Sequence, residues 1–370
     1  MPSRMPRPAK GIVLLVPLVL LTGCLLTVNH PRLAADGALV LFLEGDGAYT
    51  LFPEMGVLHL LRDGKLVAIP GAPLSEGGGL LDLSPDGSEA LYVDVQTGEP
   101  LGPVASTVYR VALRPEAVPK AVWETTNVIA RTAWVLEEWI FLLQFGGDDL
   151  GTLLALDLRT GETERLADDL LSFAALPNKE QFILIAADEG ARVPLGIVVR
   201  LDPTTGLRET LAAFALAEGT VEFYATLPHE LLWDVTRDGA WVALCLHDAT
   251  LVNPPTEMEV PGLYLIDTAS GTANRIASEA LMPAFRPDGS VLVYAVEGEE
   301  GTGVLMWQDL ESGYTTAIPG SEGLATAFWL SDTRLGLTFE DANDCYRLVE
   351  LDLTTETYHE LLDETPLSEE

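Results

Sequence analysis

One stretch constrains the fold of this chain more than any other: Glu279–Ser321, EALMPAFRPDGSVLVYAVEGEEGTGVLMWQDLESGYTTAIPGS. It reads as four short strands, Met282–Arg286, Val291–Val296, Val304–Asp309 and Tyr314–Ile318. The second is an apolar run of the residue types that favour strands. Pro287-Asp288-Gly289-Ser290 joins the first pair, and Asp-Gly is expected to supply both φ > 0 positions of a two-residue hairpin. Glu311-Ser312-Gly313 turns the last pair, and an acidic, Gly-containing loop, Glu297–Gly303, joins the middle two. A lone four-stranded sheet cannot bury both of its faces, so a chain built on this unit must stack several of them.

The rest of the chain repeats the unit imperfectly. A first copy begins at Leu33–Leu43 around Asp36-Gly37 and ends with Val57–Leu61 and Lys65–Ile69. A second runs from Gly79 to about Thr126, with Ser84-Pro85-Asp86-Gly87 at its first turn. The third, Asn127–Ala167, lacks Asp-Gly in its first hairpin (Val135–Trp139) but keeps Asp157-Leu158-Arg159-Thr160-Gly161. The fourth, Asp168–Phe214, has Pro177-Asn178-Lys179 and Asp202-Pro203-Thr204-Thr205-Gly206. A longer fifth reaches Ser278 through Thr236-Arg237-Asp238-Gly239 and Asp267-Thr268-Ala269-Ser270-Gly271. The seventh follows the opening stretch, with Ser331-Asp332-Thr333-Arg334 and Asp352-Leu353-Thr354-Thr355.

Gly161, Gly206, Gly271 and Gly313 stand 45, 65 and 42 positions apart. A four-stranded period of about 40 to 50 residues is that of a propeller, whose radial stacking buries both faces and leaves short edges. The expected fold is therefore all-β, a β-propeller of seven four-stranded blades over 33–363. Six or eight blades stay open as alternatives because the first and third copies are weak. The regular hairpin pairs disfavour a β-sandwich pair or an open β-solenoid. No long helical periodicity competes outside the first residues. Phe285-Arg286-Pro287-Asp288-Gly289-Ser290, followed by an apolar strand and an L-D-x-x-T/S-G turn, resembles the WD-like repeats of TolB-type β-propellers, over about Leu33–Leu362. That resemblance implies a binding or assembly module, or the non-catalytic propeller that accompanies a peptidase domain. Trp233-Asp234 opens a blade rather than closing one, so it does not count as the dipeptide that names the eukaryotic repeats.

The first residues are of another kind. Met1–Lys10 holds Arg4, Arg7 and Lys10; Gly11–Leu20 is apolar; Leu21-Thr22-Gly23-Cys24 follows. This is the layout of a secretory signal, and its end resembles the bacterial lipoprotein processing box. The resemblance implies cleavage after Gly23 and acylation of Cys24. It divides the chain into a signal peptide (1–23), a short tether (24–32), the propeller and a polar tail (364–370). Two or more acyl chains give stable membrane attachment. Nine residues from Cys24 to Leu33 reach about 30 Å at most, which holds the propeller near the cell membrane or outer membrane, in the periplasm or at the surface.

Charge narrows the partners. The formal net charge is −35, and without the three basic residues of the leader it is −38, 18 basic against 56 acidic. Such a field repels phosphate backbones, so nucleic acid is excluded as a partner. Beyond Cys24 there are only Cys245 and Cys345, in the fifth and seventh copies, which reads as two separate buried thiols. The five histidines, His30, His59, His229, His247 and His359, are scattered and form no H-x-x-x-H spacing. His247-Asp248 is adjacent, but neighbours on a strand point to opposite faces. No G-x-S-x-G elbow, phosphate-binding glycine loop or sialidase-type Asp-box is present. The tryptophans, Trp307 and Trp329 among them, read as packing residues rather than a sugar platform.

In an antiparallel four-stranded blade the 1–2 and 3–4 turns share one face of the disc, and the 2–3 loops share the other. The turns here are short and stereotyped; the 2–3 loops vary, as binding loops do. They are expected at 44–56, 94–106, 144–152, 187–196, 247–262, 297–303 and 340–345. Each carries at least two carboxylates, and Arg192 is their only basic residue. The candidate acidic face comprises Asp46, Asp94, Asp148, Asp149, Asp188, Glu189, Asp248, Glu299, Asp341 and Asp344. It would take a cationic ligand, a basic segment of an envelope protein, or Ca²⁺ as the one candidate cofactor. An equally acidic but merely solvated surface is the plain reading. Two functions follow: a lipid-anchored binding or scaffold module, or an extracytoplasmic hydrolase or lyase using loop carboxylates with a metal.

Overall fold

The stereotyped turns and the apolar runs between them set the architecture. The computed structural model describes residues 31–44, 56–62, 64–74, 80–96, 105–146, 150–176, 181–188, 195–215, 232–246, 250–251, 262–278, 280–297, 303–340 and 346–362. Among them every regular element is a strand, and every pairing is antiparallel. The first sheet holds β1 (Arg32–Leu33), β2 (Leu39–Glu44), β3 (Gly56–Arg62) and β4 (Lys65–Leu74). The second holds β5 (Leu81–Leu83), β6 (Glu89–Gln96), β7 (Ala105–Ala112) and β8 (Lys120–Thr125). A larger sheet follows, with β9 (Val128–Leu136), β10 (Trp139–Phe145), β11 (Gly151–Asp157), β12 (Thr163–Leu176), β13 (Gln181–Asp188), β14 (Leu195–Asp202) and β15 (Leu207–Ala215). Next come β16 (Trp233–Val235), β17 (Trp241–Leu246) and β18 (Thr250–Leu251), which crosses back to pair with β15 as the eighth strand of the larger sheet. β19 (Gly262–Asp267) and β20 (Thr272–Ala277) complete the sheet begun by β16. The last two sheets are β21 (Ala280–Phe285), β22 (Val291–Glu297), β23 (Gly303–Asp309), β24 (Thr315–Ala317), and β25 (Leu324–Ser331), β26 (Arg334–Glu340), β27 (Tyr346–Asp352), β28 (Thr357–Leu362).

The eight-stranded sheet is two meanders sharing one strand. β12 pairs with β11 through Thr163–Leu170 and with β13 through Leu170–Leu176. The boundary expected between Ala167 and Asp168 therefore falls inside a strand. Two acidic residues there look like a polar link, but Asp168 accepts from Thr152 Oγ1 (3.2 Å) and Arg165 Nε (2.5 Å), and Asp169 absorbs the bend at φ 60°.

Burial falls from the second strand of each meander to the last. Val291–Ala295 of β22 is buried on both faces, whereas Thr315–Ala317 of β24 is exposed throughout. That is why the second strands are continuous apolar runs and the fourth are polar. Among the described residues, apolar clusters lie between successive meanders. Phe42 and Tyr92 meet between the first two, Phe141 and Phe182 between the third and fourth, and Phe214 and Trp233 share the next. The clusters on either side of β21–β24 hold Tyr294 with Cys245, and Val293 with Leu337. The last cluster closes the ring: Leu39, Leu41 and Leu43 of β2 pack with Phe328, Leu330 and Leu348. Among the described residues no strand is exchanged there, since the first and last sheets each consist of four consecutive strands. At roughly 1.5–3 kcal/mol for each fully buried large apolar side chain, these interfaces dominate stability.

The first turns correct one expectation. Gly289 has φ 75°, but Asp288 does not join it. Pro287 fixes a negative φ and starts an ordinary turn, closed by Gly289 N–H to Arg286 O (2.7 Å), with Arg286 N–H donating to Val291 O (2.8 Å). Gly289 alone takes the left-handed position. The Asp288 carboxylate accepts from the Ser290 N–H (2.9 Å), and is held down to about 2 by the Arg286 side chain first and Ser290 next. The 3–4 turns use aspartate similarly: Asp309 accepts from Ser312 N–H (2.7 Å), and Gly313 N–H donates to Asp309 O (2.9 Å). In the last meander Glu356 stands in the glycine's place at φ 54°.

Candidate functional site

Among the described strands, antiparallel pairing brings the 2–3 connections to one end of the ring. The last pairs before them are Glu44↔Gly56, Gln96↔Ala105, Phe145↔Gly151, Asp188↔Leu195, Leu246↔Gly262, Glu297↔Gly303 and Glu340↔Tyr346. The Asp-Gly and Thr-Gly turns lie at the other end. Several connections are shorter than the sequence suggests, because the strands run further: 97–104 rather than 94–106, and 189–194 rather than 187–196.

Most of the candidate carboxylates, Asp46, Asp148, Asp149, Glu189, Asp248, Glu299, Asp341 and Asp344, lie outside the described residues, as does Cys24. The backbone of Asp188 closes β13 opposite Leu195. Asp94 differs from its expected place on a loop. It sits within β6, 5% exposed, in register with Thr107, and accepts a long bond from Gln96 Nε2 at 3.4 Å. An aspartate between Val93 and Val95 looks like a strand end, but β6 continues past it to Gln96.

The other reactive candidates are quiet. His59 Nδ1 lies 2.8 Å from Val57 O on β3, and burial lowers its pKa against the raising effect of that bond. His359 sits on the outer strand β28 beside Thr357. His30, His229 and the His247-Asp248 pair are outside the described residues. Cys245 is buried on β17, and burial pushes its thiol far up, so it is not a thiolate at neutral pH. Cys345 is outside the described residues. Among the described residues no three His, Cys, Asp or Glu side chains converge on a metal position. Trp307 and Trp329 meet edge to face at 6.0 Å, and Trp329 Nε1 donates to Ala284 O (3.0 Å), which ties the last two meanders together as packing residues do.

The inner strands hold a set of polar contacts that sequence reasoning missed. Asp82 on β5 accepts from the Trp134 N–H of β9 at 2.7 Å, and Asp234 on β16 accepts from the Phe285 N–H of β21, also at 2.7 Å. Each carboxylate pins one innermost strand to the next. Burial raises the pKa of Asp82, against the lowering effects of Arg32, the Trp134 N–H and Arg131. Arg131 donates to Ser172 Oγ (3.2 Å) and lies 5.4 Å from both the Phe173 and Trp233 rings. The signal was present: both aspartates stand two positions before the turn residue, in Asp82-Leu83-Ser84-Pro85-Asp86-Gly87 and Asp234-Val235-Thr236-Arg237-Asp238-Gly239.

A ring of antiparallel meanders with inner, paired strands and exposed outer ones defines the class: this chain is a β-propeller. Solved structures agree. The β-propeller domain of the trilobed protease from Pyrococcus furiosus, described as having an open velcro topology, matches at TM-score 0.60 and 13% identity, over 92% of this chain and 99% of that one. An oligogalacturonate lyase in complex with manganese matches at 0.54 and 15%, over 90% and 83%. TolB from Acinetobacter baumannii matches at 0.48 and 14%, over 82% and 75%, so the TolB resemblance continues to rest on the hairpin motif. No protein-family model matches this sequence, and no curated protein sequence does. At these identities the likeness concerns the fold alone.

Proposed function

We propose that this chain is a lipid-anchored, seven-bladed envelope propeller that binds a cationic partner on its loop face: a basic protein segment, a small cation or Ca²⁺. One observation supports the reading above the others. Connections of unlike length leave the same end of the ring, and each holds at least one carboxylate, most of them two or more, against a single arginine, Arg192. The opposite end carries mostly short turns of Asp-Gly or Thr-Gly type. The leader with Leu21-Thr22-Gly23-Cys24 supports the anchor, and the meander count with its inter-sheet clusters among the described residues supports seven blades. The resemblance of the hairpin motif to TolB-type repeats adds the expectation of an assembly role. The hydrolase or lyase alternative gains no support from a shared fold.

The test is a titration of the purified protein with CaCl₂ and, separately, with a nona-arginine peptide, followed by calorimetry and thermal melting. Saturable binding of either, weakened by 0.5 M NaCl and by Asp148→Asn with Asp149→Asn, is expected. Heat signals that never saturate, with an unmoved melting temperature, would remove the loop face as a binding site. Cys24→Ser should move the protein out of the membrane fraction; retention there would overturn the anchor.

A further inference from the structure

The end of the ring away from the acidic loops holds a cleft. It lies between the third and fourth blades, measures about 260 Å³ and opens on the turn face. Its origin is a packing shortfall that the register explains. Ala155 on β11 pairs with Phe141 on one side and Glu164 on the other, and Ala175 on β12 pairs with Phe182. Two alanines thus stand in rows otherwise held by large side chains. The Phe141 and Phe182 rings meet edge to face at 4.6 Å and form the inner wall. Trp139 lines the turn end of the cleft, and Glu164 lies at its outer side, where β12 is exposed. The tight turn Glu137-Glu138 replaces the Asp-Gly loop found in other blades, and it stands directly beside Trp139.

Carboxylates outnumber cations around the mouth among the described residues. Glu137, Glu138 and Glu162 are exposed next to lining residues, and Asp157 is in register with Trp139. Among the described residues the nearby cations are Arg159, held by Asp157 at 3.5 Å, Arg165, which stands between Glu164 and Leu166 on β12 and is held by Asp168, and Arg208 on the outer strand β15. Residues 177–180, Pro-Asn-Lys-Glu, lie outside the described residues and sum to zero charge. An apolar, aromatic-walled cavity with a carboxylate at its rim suits one ligand chemistry: a largely apolar molecule of roughly nine heavy atoms, allowing about 30 Å³ for each, that carries a single ammonium. The aromatic wall takes the body, and Glu164 with the Trp139 face takes the charge.

We propose that this cleft binds small hydrophobic cations of the arylalkylamine type. It is separate from the loop face, and neither site requires the other. The test uses the full chain in mild detergent, labelled with 5-fluorotryptophan, with the Trp139 resonance assigned by its loss in Trp139→Phe. The probes are phenethylammonium, 2-phenylethanol and phenylacetate, each corrected against detergent alone. Phenethylammonium should shift the Trp139 line saturably, at least tenfold more tightly than phenylacetate. Glu164→Gln should bring the cation and the alcohol to equal affinity. Ala175→Leu fills the cleft and should abolish the shift while leaving the melting temperature unchanged or raised. Ala155→Val is the second filling variant, used if Ala175→Leu does not fold. Equal affinity for phenylacetate, a shift that survives the folded filling variant, or no saturable shift by 20 mM probe would each overturn the proposal.

Discussion

Two junctions of the ring achieve the same end by different means. Between the third and fourth blades a single strand, Thr163–Leu176, runs through both sheets, so backbone hydrogen bonds continue from β9 to β15. Between the last blade and the first no strand pairing is seen among the described residues, and the contact is made by the side chains around Leu41 and Phe328. At that seam Phe328 lies over Gly336, its partner on β26, where any Cβ would collide with the ring. A junction made of backbone hydrogen bonds fails only when a sheet unfolds. A junction made of side chains can part while both sheets survive. The ring should therefore open at the seam first.

The sharpest way to break this contrast is to truncate one buried phenylalanine at each junction. Phe328→Ala and Phe173→Ala should each cost about 3–5 kcal/mol. Their hydrogen exchange should differ: Phe328→Ala speeds exchange through β1–β4 and β25–β28 ahead of global unfolding, whereas Phe173→Ala does so only with global unfolding. Earlier opening of β10–β13 in either variant would reverse the argument. A smaller effect is expected at the inner strands. Asp82→Ala orphans the Trp134 N–H and should cost about 1–3 kcal/mol in urea unfolding, with Asp82→Asn recovering most of it through its amide oxygen.

A smaller effect still, and of opposite sign, is expected in the last blade. Glu356 holds a left-handed conformation that Gly161, Gly206, Gly271 and Gly313 hold four positions after the turn aspartate in other blades. Glu356→Gly should stabilise by about 1 kcal/mol, read as a melting temperature raised by about 2 °C. The least effect per residue comes from the turn aspartates. Asp202, Asp267, Asp309 and Asp352 are all lowered, chiefly by hydrogen bonds from Thr205, Ser270, Ser312 and Thr354 respectively. A lowered carboxylate stabilises above its unfolded value near 4 and loses that contribution as pH falls through its folded value. Stability should therefore decline below pH 4, with Asp288, at about 2, titrating through the lower part of the fall. Asp288→Asn should make the decline shallower. An acid profile unchanged in that variant would detach the turns from acid stability.

How far the sequence could be read follows from what each feature depends on. The strands of 280–317 lie within about two residues of their expected bounds, because Gly289 and Gly313 mark positions that local backbone geometry alone demands. The shared strand β12 was not legible. Asp168 and Asp169 have the composition of a link, and only their tertiary partners, Thr152 among them, keep that segment in the sheet. Asp94 was misplaced for a related reason, since an acid inside an apolar strand gives no local sign of its burial. Asp82 and Asp234 were readable as a repeated offset but not as a contact, because their partners lie 52 and 51 residues away. The acidic loops were legible as composition, and their shared end of the ring follows from hairpin order alone.

The seam also has a consequence in time. Leu41 and Phe328 are separated by 287 residues, so the contact that completes the ring links nearly the whole chain. At about 5–20 residues per second of synthesis, the face of β2 carrying Leu39, Leu41 and Leu43 waits roughly 15–60 s for its cover. During that interval the earliest sheet presents an unpaired apolar surface while the latest does not yet exist. Refolding from denaturant removes this order of events, but ring closure still depends on the most distant contact, and such contacts form slowly. The final step of folding is thus the docking of two finished sheets, and the species before it is an open arc with one adhesive end.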